Sequence, residues 1–228
     1  SSAVSTNSSL LILAMLALII PATFAQSGNH SIDTLVDLSR IASIILLGLY
    51  ALFLLFQLKT HSHLFVNSTH HEDEEASLTM KQAIILLVTS TILVGVMAEF
   101  LVGSIEHSAD ALGWPPLFIG VILIPLFGNA AEHFTAVTVA GKNKMDLSIG
   151  IAIGSSTQVA VLIAPITVLI GWLLNVNMSL QFGLFETIAT FVAVLIANSI
   201  CSDGRSNWLE GAMLLGTYAI LAVSFWLA

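Results

Sequence analysis

Apolar residues fall along this chain in long, continuous runs. Seven can be marked: Leu10–Phe24, Ile41–Leu58, Ala83–Ile105, Pro116–Ala140, Leu147–Leu174, Leu180–Cys201 and Trp208–Ala228. A helix needs about 20 such residues to cross a bilayer, and only the first run is clearly short of that. Each is expected to be a helix, because backbone in hydrocarbon must satisfy its own hydrogen bonds. The pattern therefore predicts an all-α polytopic membrane protein with about seven transmembrane helices. The first run, followed by Thr23-Phe24-Ala25, also has the outline of a signal-peptide core. No positive charge precedes it, so a first transmembrane helix ending near Pro21 is the better reading.

Composition agrees with the runs. The chain is 57% hydrophobic and 9% charged, and its mean hydropathy of +0.97 lies outside the range of soluble domains. A net charge of −8 without a basic patch excludes nucleic acid as a partner. Cys201 is the single cysteine, which excludes a disulfide framework and a cysteine metal cluster. Lys59, Lys81, Lys142, Lys144 and Arg205 fall in loops on one side of a seven-span chain, with only Arg40 opposite. By the positive-inside rule the N-terminus is cytoplasmic and the C-terminus lies across the membrane. Trp114, Trp172 and Trp208 mark interfaces near span ends.

One polar stretch stands out. Gly128-Asn129-Ala130-Ala131-Glu132-His133 lies inside the fourth run, and no charge occurs between Asp110 and Glu132. A carboxylate at mid-membrane depth costs several kcal/mol, so Glu132 needs a partner, a proton or a cation. Pro125 is expected to disturb the helix one turn earlier. Helical spacing puts Gly128, Asn129 and Glu132 on one side. Carboxylate, amide and freed carbonyl oxygens are the mixture that hard cations such as Ca²⁺ take. The bland alternative is a kink with Glu132 hydrogen-bonded to a neighbouring helix.

The next run carries Gly154-Ser155-Ser156-Thr157-Gln158, with Gly150 and Gly154 as a close-approach pair. At about 1.5 Å per residue, Glu132 and Ser156 each lie roughly 15 Å from the loop between these runs. Matching depth favours a site over simple Ser/Thr packing. Glu99 and Glu186 lie about 9 and 10 Å from the outer ends of their spans. They could line an outer pathway or snorkel to the interface. Glu106, His107 and Asp110 could thicken the same negative funnel or be solvated loop residues. Glu72, Asp73, Glu74 and Glu75, after His70 and His71, form either a solvated linker or an acidic cation sensor.

These motifs resemble the cation/proton exchangers of the calcium/cation antiporter superfamily. The resemblance continues through Asn198-Ser199-Ile200 and Asp203–Gly211 and extends over essentially the whole chain. It implies the second half of an inverted-repeat exchanger fold, with Glu132 as one of a central glutamate pair that binds Ca²⁺ and protons alternately. Gly128, Asn129, Ser155, Ser156 and Gln158 would complete the metal-binding lining. It implies no catalytic residue and no cofactor. Ca²⁺, with Mn²⁺ as an alternative, and protons would be the transported species.

The family has a Gly-Asn-Ala-x-Glu segment in each repeat, and this chain has one. The implied division is 1–58 for the last two helices of the first half, 59–81 for a cytoplasmic acidic loop, and 82–228 for a five-helix second-repeat domain. The first-repeat helices carrying the partner glutamate would then be missing, in keeping with a chain that opens on Ser1. The expected function is Ca²⁺/H⁺ antiport by alternating access, with the bilayer, the divalent cation, protons and those missing helices as partners. The alternative is a non-transporting membrane scaffold or truncated fragment. An intramembrane metalloprotease is excluded by the lack of H-E-x-x-H.

Overall fold

Helix is the only regular structure among the described residues, as a backbone in hydrocarbon requires. The structure, a computed structural model, describes residues 2–28, 31–62, 78–201 and 205–228, with side chains from Ser9 onward except at 106 and 110. Ten α-helices follow in order: α1 (Ser2–Gln26), α2 (Ile32–Leu55), α3 (Met80–Leu112), α4 (Pro116–Phe118), α5 (Ile124–Gly128), α6 (Ala130–Gly141), α7 (Met145–Gln158), α8 (Ala164–Leu173), α9 (Leu184–Cys201) and α10 (Trp208–Leu227). Five-residue π turns at Phe56–Thr60, Ile119–Leu123 and Val159–Ile163 extend or join them. Among the described residues, six helical stretches are long and apolar enough to cross a membrane, or seven if 116–128 and 130–141 count as one broken span. The sixth expected span starts late: α9 begins at Leu184, not Leu180.

Three helices end alike. Trp114 N–H reaches Ala109 O at 3.0 Å, Lys144 N–H reaches Val139 O at 3.2 Å, and Val176 N–H reaches Gly171 O at 2.8 Å. Each is the six-to-one bond of a Schellman end. The residue inside each turn is left-handed: Gly113 at φ 66°, Asn143 at 61° and Asn175 at 56°. Glycine and asparagine are the residues that reach this region at low cost.

The chain divides into two units, Ser1–Val66 with Glu132–Thr217 and Asn67–Ala131 with Tyr218–Ala228. In the first, α1 packs against α2, α7 and α9, while α2 packs against α8. Ala14, Leu46, Val161, Val168 and Leu180 form its core. Small residues bring the helices together, with Ala14, Ser39 and Ser43 fully buried. Leu180 explains the late start of α9. Its buried N–H donates to Ser39 Oγ at 3.0 Å, drawing the connection after α8 into the core instead of a helix. Met178 lies over Gly171, where a Cβ would stand 2.8 Å from its sulfur. Arg40 pairs with Asp37 at 2.8 Å and sits 4.9 Å over the Trp172 ring.

The second unit contains α3, α4 and α5. A capping box starts α3: Gln82 N–H donates to Thr79 Oγ1 at 3.4 Å and Thr79 N–H to Gln82 Oε1 at 2.9 Å. All side chains of 80–100 are exposed within this chain. Trp226 packs edge-on against Trp114 and Phe118, with ring centroids 6.0 and 5.0 Å apart.

Candidate ion site at the broken helix

The fourth run is interrupted twice, for different reasons. Pro125 has no N–H to close an ordinary turn. The turn before it widens, and Ile124 N–H reaches back five residues to Ile119 O. With the mismatch absorbed, the helix continues through Gly128. It stops at Asn129, whose φ of −100° and ψ of 20° are not helical. Pro125 thus disturbs the helix one turn before Gly128, as expected, while the break itself falls at Asn129. The spacing that set Gly128, Asn129 and Glu132 on one helical face does not run through this break.

Asn129 holds its own position. Its backbone N–H donates to Pro125 O at 3.0 Å and its Nδ2 donates to the same oxygen at 3.1 Å. The amide NH₂ is thus engaged with the backbone, and Oδ1 is the acceptor it can offer a cation. Helix α6 restarts at Ala130, which puts Glu132 in its first turn. A helix start presents unpaired N–H groups and the positive end of the macrodipole, both favourable to a carboxylate. Glu132 is exposed in this chain.

The second patch closes α7. Ser156 Oγ donates to Ala152 O at 3.0 Å, and buried Thr157 Oγ1 donates to Ile153 O at 2.8 Å. Ser155 is half-buried, while Ser156 and Gln158 are exposed. Thr157 was not singled out in the sequence. Its buried hydroxyl faces the packed interior while its neighbours face outward. Among the described residues, no atom from outside this stretch of α7 lies within 4 Å of where a Cβ on Gly150 would stand, so no other backbone approaches there. α7 packs against α1, and α6 does not pack extensively against α7 among the described residues. Among the described residues, α6 and α7 are therefore not an extensively packed pair that would bring Glu132 against Ser155, Ser156 and Gln158.

The remaining carboxylates are dispersed. Glu99 is exposed on α3. Glu186 lies in the first turn of α9, closer to its helix end than the expected depth. Its carboxylate folds back over Gly183, into the space a side chain there would need. His107 is exposed. The side chains of Glu106 and Asp110, and all of Glu72–Glu75, lie outside the described residues. Among the described residues no three His, Cys, Asp or Glu side chains gather into a metal-holding group.

Residues 82–227 match the family described as sodium/calcium exchanger protein. The chain is 43% identical to a Ca²⁺/H⁺ antiporter of Aphanothece halophytica, over 96% of this chain and 63% of that protein. It is 40% identical to vacuolar cation/proton exchanger 2 of Oryza sativa subsp. japonica, over 96% of this chain and 52% of that protein. Among solved structures, native YfkE superposes with a TM-score of 0.79 at 38% identity, over 99% of this chain and 63% of that chain. The chain thus spans between about half and two thirds of the length of these relatives.

Proposed function

The chain belongs to the sodium/calcium exchanger protein family, and from that premise we propose that it supplies the Glu132-bearing part of a Ca²⁺/H⁺ antiporter. The observation that carries this reading is a single carboxylate at the start of α6, directly after a break inside a membrane-length apolar run. The names of the relatives support calcium as the cation and protons as the counter-ion. An all-oxygen donor set suits hard cations, so Mn²⁺ is a second candidate substrate. Glu132 would be the charged ligand. Gly128, Asn129, Ser155, Ser156 and Gln158 would supply neutral oxygens.

Ca²⁺ takes six to eight oxygens, and one carboxylate neutralises half its charge. We place the missing carboxylate on first-repeat helices of the same protein, covering the exposed side of α6. Exchange then follows from competition: protonation of Glu132 removes the charge that holds the cation, and cation binding displaces the proton. Glu99 would contribute to an outer approach, whereas Glu186, folded onto its own helix start, would contribute less. The excess of Lys and Arg in alternate loops supports a cytoplasmic N-terminus and an opposite C-terminus.

Glu132→Gln in the full-length protein tests this. The amide keeps the shape but can neither titrate nor carry charge. Uptake of ⁴⁵Ca²⁺ driven by a pH gradient in vesicles should fall about 100-fold, equivalent to about 2.7 kcal/mol, with membrane abundance unchanged. Near-normal exchange would sink the assignment and favour a non-transporting scaffold.

A further inference from the structure

We infer that a cavity at the starts of α7 and α10 binds the headgroup of an ethanolamine phospholipid, a primary ammonium joined to a phosphodiester. The cavity measures about 230 Å³, lies wholly within the first unit, and does not have Glu132 in its lining. Its charged groups gather at the helix ends, beside the apolar Met145, Ile200 and Cys201. Asp146, Arg205 and Glu210 stand at or just before the helix starts. Ile149 and Leu214 lie about one turn further along their helices. A polar mouth above an apolar floor, at the end of membrane-length helices, matches the orientation of a lipid in its own leaflet.

Charge narrows the choice of lipid. Two carboxylates and one guanidinium complement a ligand carrying both a cation and a phosphodiester. A glycerol headgroup brings no cation. Choline brings one that cannot donate a hydrogen bond. A bare divalent ion is disfavoured by Arg205 in the same wall.

The start of α10 at the mouth is capped, and a glycine follows it. Asn207 Oδ1 accepts from the N–H groups of Leu209 and Glu210 at 3.0 Å each. Glu210 Oε2 in turn accepts from Asn207 N–H at 3.1 Å, and its Oε1 takes no part in this cap. Gly211 then lines the cavity inside α10, where glycine is a poor helix former compared with alanine. Among the described residues a Cβ on Gly211 would meet nothing within 4 Å, so none of their packing requires the glycine. Its absent side chain leaves room that an occupant can use.

The test uses the purified full-length protein, stripped of lipid and exposed to phosphatidylethanolamine, phosphatidylglycerol and phosphatidylcholine in equal amounts, with retained lipid read by native mass spectrometry. Phosphatidylethanolamine should be retained about tenfold over the other two. Gly211→Leu, which fills the space, and Asp146→Asn, which removes an ammonium partner, should each cut that retention about tenfold with unchanged helical circular dichroism. If Gly211→Leu does not fold, Asp146→Asn decides alone. Free phosphoethanolamine at millimolar concentration should not displace the lipid. Equal retention of all three lipids, unchanged retention in the folded variants, or displacement by the free headgroup would overturn the inference.

Discussion

Pro125 and Pro165 begin from the same local arrangement and end differently. Each follows a five-residue π turn in which an N–H reaches back five residues, Ile124 to Ile119 and Ala164 to Val159. In both places the widened turn takes up the donor that proline lacks. After Pro165 the helix runs on to Leu173. After Pro125 it ends at Gly128, and the chain leaves helical geometry at Asn129. Proline is therefore not what opens the candidate site. A glycine followed by an asparagine that bonds back to Pro125 O opens it, while α8 is kept intact by packing and by the connection folded over its end.

The most damaging change should be one that heals the break. Asn129→Leu removes both the side-chain bond and the preference for a non-helical position. Under the proposed function, ⁴⁵Ca²⁺ uptake should fall about 100-fold, as far as for Glu132→Gln. Wild-type uptake from Asn129→Leu would show that the break does not shape the site. Pro125→Ala comes next. Restoring an N–H lets the wide turn relax to an ordinary one, which rotates the segment before it by about 100°. A loss of about tenfold in uptake is expected, and cysteine accessibility along 116–124 would reveal the rotation. Identical accessibility patterns would show that the wide turn does not depend on proline.

On the intact side the effect should be on stability rather than transport. Ser39→Ala leaves the buried Leu180 N–H without its acceptor, a loss of about 1–3 kcal/mol. That corresponds to a fall of several degrees in melting temperature, with uptake per folded molecule nearly unchanged. A melting temperature equal to wild type would mean that the connection after α8 is held by Met178 on Gly171 and by apolar packing alone.

Hydropathy made the spans legible because each helix must be apolar whatever its neighbours are. Their packing was much less legible. The first run looked marginal in length, yet α1 is the helix against which α2, α7 and α9 gather. Its small residues announce close approach but do not name a partner. Leu180 read as the start of a span because its hydropathy is the same in lipid and in the core. Only Ser39, far away in the chain, reveals which it occupies. The polar motifs were conspicuous because Glu132, Asn129 and Gln158 are costly in apolar runs. The π turns before Pro125 and Pro165 were not, since one missing donor can be met by a kink, a break or a widened turn.

The Ser39–Leu180 contact joins residues 141 positions apart, which imposes an order of assembly on synthesis. At 5–20 residues per second, roughly 7–28 s pass between the emergence of the hydroxyl and that of its donor. During that interval α1 and α2 are in the membrane before α7, α8 and α9 exist. The serines are suited to waiting, because their hydroxyls are already bonded within α2, Ser39 to Leu35 O at 2.8 Å and Ser43 to Ser39 O at 2.7 Å. The helix can thus be inserted with neither serine hydroxyl orphaned, and Ser39 Oγ still has a lone pair to accept the late-arriving N–H.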